Sequence, residues 1–171
     1  MRSMMMTLAI LLAASLGQGC AGDRPAQQAG STPVETLPFG EHDCPHCGEM
    51  VDEVRYGGEL VTAGGDTVRF RSAECLAGYL LEEGIDRGSV RSLKVVDFNH
   101  GRRLIPAETA VYVHSQYRSS PHGLNLLALP ADNPELAFNV NFAWGGEILT
   151  WEEVLDLVRR EWQLAEVGGG H

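Results

Sequence analysis

Ten consecutive residues, 41–50 (EHDCPHCGEM), bring together the thiols of Cys44 and Cys47, the imidazoles of His42 and His46 and the thioether of Met50. Sulfur donors select soft metals such as Cu(I) or Zn(II), and imidazole suits both. Met50 stands out further because the other four methionines, Met1, Met4, Met5 and Met6, all lie at the extreme N-terminus. Four chemistries fit the CPHC spacing. One is a Cu(I) site on Cys47 and Met50 with Cys44 as second thiol. Another is half of a structural zinc site, since CPxCG is a frequent zinc knuckle; tetrahedral zinc then needs two more ligands from Cys75 and His42, His46, His100, His114 or His122. A thiol–disulfide centre is the third, although thioredoxin-like folds set such a motif between a strand and a long helix, and here Gly48 follows it. The fourth is a structural disulfide. The spacing alone does not choose among them.

The remaining reactive side chains are scattered. Cys75 falls near the start of an expected helix, where the dipole lowers a thiol pKa; free cysteine is also among the most buried residue types, so core packing is its first reading and metal ligation its second. His46, between the two thiols, reads as pointing away from them, and His42 as an exposed loop residue. His100 reads as a turn residue and His114 as the end of a strand. No Ser/His/Asp arrangement, phosphate loop or paired-carboxylate spacing is present, so the chain does not read as an enzyme. A formal charge of −10 without a basic cluster argues against nucleic acid as a partner.

Elements that could position these groups follow from periodicity. Residues 4–16 (MMMTLAILLAASL) form an apolar run too short for a membrane span and suited to a signal peptide over residues 1–19. Cys20 then becomes a lipidated N-terminus, because residues 16–20 (LGQGC) resemble a bacterial lipobox with its leucine one place early. Residues 20–40, rich in Pro, Gly, Gln and Ala, read as a flexible tether at the extracytoplasmic or periplasmic face of a membrane. The folded domain is expected over residues 41–166 and a disordered tail over 167–171. Gly57-Gly58 suggests a hairpin or bulged strand between residues 54–56 and 59–62. A strand over 67–71, a helix over 73–83 capped by Ser72 and stopped by Gly84, and a strand over 90–98 complete a first ββαβ unit. The order then repeats: strands at 109–114 and 124–129, a helix from Pro134 to about Ala143 capped by Asn133, and a short strand at 147–149. Thr150 caps a last amphipathic helix on which Trp151, Val154, Leu155, Val158 and Trp162 share a face. The fold class is therefore α+β, two ββαβ units packed into one domain with a C-terminal helix.

Taken in order, these features resemble the NosL family of copper-binding lipoproteins. The resemblance rests on the lipidation signal and tether, the CxxC-Gly motif with a nearby methionine, and Phe70-Arg71-Ser72 leading into a helix that carries Tyr79. It continues through Ala110-Val111-Tyr112-Val113-His114-Ser115 and Ser120-Pro121-His122-Gly123, and ends at residues 145–151 (GGEILTW). Family members carry Cys-Gly-Met where this chain has Cys47-Gly48-Glu49-Met50, and a Thr-Pro-Met-Gly turn where it has Ser120-Pro121-His122-Gly123. The resemblance implies an exported, lipid-anchored metallochaperone that binds Cu(I) and delivers it to a copper enzyme or its assembly machinery, with nitrous oxide reductase as the client. It implies Cys44, Cys47, Met50 and His122 as ligands, His122 replacing the family's methionine with a donor that also accepts Zn(II). The alternatives are an exported domain built round structural zinc and, through the related organomercurial lyase scaffold, a thiol-dependent lyase.

Overall fold

The computed structural model describes residues 33–165. The expected signal peptide, Cys20, residues 20–32 of the tether and the tail over 167–171 lie outside the described residues. Among the described residues no helix is long and apolar enough to cross a membrane.

Among the described residues, seven strands and three α-helices make the α+β fold. Strands β1 (Gly58–Thr62), β2 (Thr67–Phe70), β3 (Val90–Val96) and β4 (Leu104–Pro106) form one antiparallel sheet in the order β2-β1-β3-β4. Helix α1 (Ala73–Glu82) crosses between β2 and β3. Strands β5 (Val111–Ser115), β6 (Leu126–Leu129) and β7 (Gly146–Leu149) form a second sheet in the order β6-β5-β7, with α2 (Pro134–Trp144) crossing between β6 and β7. The repeated ββαβ order is thus present in both halves. β4 adds a strand that no alternation announced, because Leu104 and Ile105 are buried consecutively rather than alternately.

The caps explain where the helices begin. Ser72 accepts from the Cys75 amide and Asn133 from the Leu136 amide, while Thr150 and Glu153 form a capping box at the start of α3 (Trp151–Glu161). Helix α3 buries Trp151, Val154, Leu157 and Val158 in the larger core together with Leu60, Phe70, Leu76 and Tyr112 from both halves. Leu157, rather than the expected Leu155, completes that stripe. A smaller core of Val113, Leu127, Leu129, Ala137 and Val140 lies between the second sheet and α2.

Two expectations need correction. Residues 54–56 form a turn rather than a strand: Gly57, at φ +124°, lies so close beneath Leu37 that a Cβ would stand 2.7 Å from Leu37 Cδ2, and the chain joins the sheet only at Gly58. The tether does not run to residue 40. Thr36 pairs with Arg103, the Leu104 amide donates to the Glu35 carbonyl at 2.8 Å, and the Leu37 amide donates to the Arg102 carbonyl at 2.8 Å. Glu35 also pairs with Lys94 of β3 at 2.5 Å. The stretch 35–37 therefore covers the outer edge of β4 and satisfies backbone groups that an exposed edge leaves open.

Candidate metal centre

The CPHC segment folds as a tight knuckle. Asp43 and Met50 face each other as an isolated antiparallel bridge, the Cys44 amide donates to the Glu49 carbonyl, and the Gly48 amide returns to the Cys44 carbonyl, each at 2.8 Å. Gly48 closes this turn at φ +74°, a conformation that costs glycine nothing. Side chains from the end of β2 then pin the knuckle to the sheet. Arg71 pairs with Glu49 and, at 3.4 Å, with Asp52, and an Arg69 nitrogen lies 3.1 Å from His42 Nε2. Glu49, which separates Gly48 from Met50, thereby acquires a structural partner.

The knuckle lays Cys44 and Cys47 against the first turn of α1, where Cys75 is the third residue. The sulfur atoms of Cys44, Cys47 and Cys75 all lie within 4.8 Å of one another. Cys44 and Cys75 are buried and Cys47 is partly exposed; all three are free thiols. A second group also includes Cys75: His46, Cys75 and His122 bring one donor each within 4.8 Å of one another. Cys75 belongs to both groups.

Charge is unevenly distributed among the thiols. A hydrogen bond from the Cys75 thiol pulls the pKa of Cys44 down to about 4, and backbone amides of Arg71, Cys47 and His46 act in the same direction against burial. Cys75 is pushed up because it is the donor to Cys44 and is buried, with its bond to Ser72 opposing. Desolvation pushes the Cys47 thiol up. Of the three thiols Cys44 is therefore the one most readily ionised, and a metal that claims all three sulfurs must displace protons from the others.

The imidazoles occupy a built pocket. His46 stacks on Trp162 with ring centroids 5.0 Å apart, and His122 meets Trp162 edge-on at 5.7 Å. His46 Nε2 lies 3.3 Å from a carboxylate oxygen of Glu82 on α1. Both rings can approach α1 because Gly78 leaves the space: a Cβ there would stand 2.7 Å from His46 Nε2 and closer still to the Trp162 ring. Gly78→Ala should displace His46 and Trp162. Overpacking costs about 1–3 kcal/mol and the gain in helix propensity offsets at most about 1 kcal/mol. The expected result is a lower urea midpoint with a shifted His46 ring resonance; a stabilised variant with an unshifted ring would contradict it.

His122 comes from the β5–β6 connection, and a buried carboxylate holds that turn. Glu74, fully buried on α1, accepts from the Ser120 hydroxyl and, at 3.4 Å, from the Leu126 amide; Ser120 Oγ in turn accepts from the Asn125 amide at 2.8 Å. Tyr56 donates to the Ser119 carbonyl at 2.7 Å. The turn is thus tied to α1, the helix that carries Cys75.

Of the residues singled out by sequence, Cys44 and Cys47 are brought together with Cys75, and His122 is brought together with Cys75 and His46. Met50 lies on the outer strand of the knuckle with 49% of its surface exposed. His46 does not point away; stacking on Trp162 turns its ring inward. Cys75 is both a packed core residue and the meeting point of the donors. The odd third cysteine at a Ser72-capped helix start was the available signal for it. His100 and His114 are engaged by Asp97 and Glu147, at 2.7 and 3.3 Å.

No protein-family model matches the chain, and no curated protein does. Among solved structures, the crystal structure of the copper chaperone NosL from Shewanella denitrificans matches with a TM-score of 0.57 at 21% sequence identity, over 71% of this chain and 96% of that one. The chain has the fold of that copper chaperone.

Proposed function

We propose that this protein is a Cu(I) carrier that uses Cys44, Cys47 and Cys75 as its primary donors. The observation that carries the reading is the convergence of three thiols, two buried and one partly exposed, in a chain with the fold of a copper chaperone. Three sulfurs suit a soft monovalent ion. The partial exposure of Cys47 leaves a side from which a partner's donors can attack, which delivery by ligand exchange requires. Met50, on the same knuckle and exposed, is the thioether placed to take part in that exchange. The role this reading assigns is binding and transfer rather than catalysis.

The finer reading follows the family resemblance. Export, lipidation at Cys20 and tethering at the periplasmic face place the carrier beside an extracytoplasmic copper enzyme or its assembly machinery, with nitrous oxide reductase as the client. Copper content of that enzyme, co-expressed with and without this chain, tests the client: equal loading would remove it.

The different-class reading is structural zinc, favoured by the CPxCG knuckle and the nearby imidazoles. The two cores of buried side chains favour a domain that stands without metal. Reduced protein should bind Cu(I) tightly and keep its far-UV circular dichroism when a chelator removes the metal. Tight Zn(II) whose removal unfolds the domain would overturn the carrier reading.

A further inference from the structure

We infer that the pocket holds two Cu(I) ions bridged by the Cys75 thiolate, the first on Cys44 and Cys47 and the second on His46 and His122. The inference rests on the Cu(I) reading above and adds a second metal position to it.

The two donor groups share only Cys75, and within each every donor pair lies within 4.8 Å. Metals at about 2.0–2.3 Å from nitrogen and sulfur span donor pairs up to about 4.6 Å apart, so each group closes on an ion with a small movement. Thiolate sulfur has the lone pairs to bridge two soft ions.

The imidazole side carries its own sign of an absent ligand. His46 Nδ1 and His122 Nε2 are both buried with no hydrogen-bond partner, and buried polar nitrogens without partners are costly. Glu82 lies 3.3 Å from His46 Nε2, a placement that favours the proton there and leaves a lone pair on the unpartnered Nδ1. A ligating histidine that gives its other N–H to a carboxylate is the usual outer support of a metal site. Trp162 and Gly78 fix the ring, and the Glu74–Ser120 bond fixes the turn of His122. None of this support is needed if the imidazoles are bystanders.

Charge favours the second ion as well. One Cu(I) on three thiolates leaves two negative charges in a largely buried pocket unless a thiol keeps its proton. A second Cu(I) leaves one and lets all three sulfurs ligate.

The test is an anaerobic titration of the reduced full-length chain with Cu(I) against a chromophoric Cu(I) chelator. Two ions per chain are expected, with His46→Ala and His122→Ala each retaining the first and losing tight binding of the second. X-ray absorption at two equivalents should show mixed sulfur and nitrogen ligation with a copper–copper vector that is absent at one equivalent. A single ion in the unsubstituted chain overturns the bridged pair but leaves the carrier reading intact. Two ions retained in both histidine variants overturn it too. No tight copper at all would sink the carrier reading itself, and the second position with it.

Discussion

Cys75→Ala should abolish tight Cu(I) binding while the fold persists. Cys75 is the one donor common to both groups, so its loss removes a ligand from each position at once. It also removes the neighbouring thiol that draws the Cys44 pKa down. Changes to groups that merely support ligands cost roughly 10–100-fold in metal affinity, and the loss of a shared ligand should exceed about 100-fold. The structural cost is smaller, on the order of 1 kcal/mol for one buried atom removed from a packed site. Competition titration read beside circular dichroism separates the two effects. An affinity within about threefold of the parent, together with collapse in Met50→Leu, would contradict the geometry and return the site to the Cys44, Cys47, Met50 and His122 of the sequence resemblance.

Leu37→Ala should destabilise the domain by about 2–5 kcal/mol, the range for a buried leucine truncated in a core. Composition gives no hint of this, because Leu37 sits in a stretch of Pro, Thr and Glu that reads as tether. In the structure it is 1% exposed and packs over Gly57, while its own amide donates to the Arg102 carbonyl and the Glu35 carbonyl accepts from the Leu104 amide. The cavity left by alanine would lie where the edge of the first sheet meets the turn into β1. A urea midpoint that falls with an unchanged slope is the expected reading. A change below about 0.5 kcal/mol would mean that residues 35–37 are an appendage after all.

Local chemistry made much of this fold legible. Ser72, Asn133 and Thr150 announced three helix starts because a capping side chain acts within three residues of itself, and each cap is present. Gly84 likewise marked a helix end through the left-handed backbone that glycine adopts freely. Alternation found β2, since one face of that strand is exposed. It failed for β4, where both Leu104 and Ile105 are buried, and at residues 54–56, where apolar and polar residues alternate in a turn. Leu37 was hidden because one apolar residue has no period.

For the metal centre the division is sharper. The sequence by itself determined the donors available: the CPHC knuckle, whose spacing puts two thiols in one turn, and the residue types of Cys75, His46 and His122. It could not order them. Whether His46 turns in or out depends on Trp162, 116 residues further along, and on the absence of a side chain at Gly78. Whether Cys75 is packing or ligand depends on where α1 lies against the knuckle, which Arg71 and the larger core decide. Metal ligation is a matter of a few tenths of an ångström between groups far apart in the chain. Tertiary packing alone sets such distances, and here it brings Cys75 within reach of both donor groups.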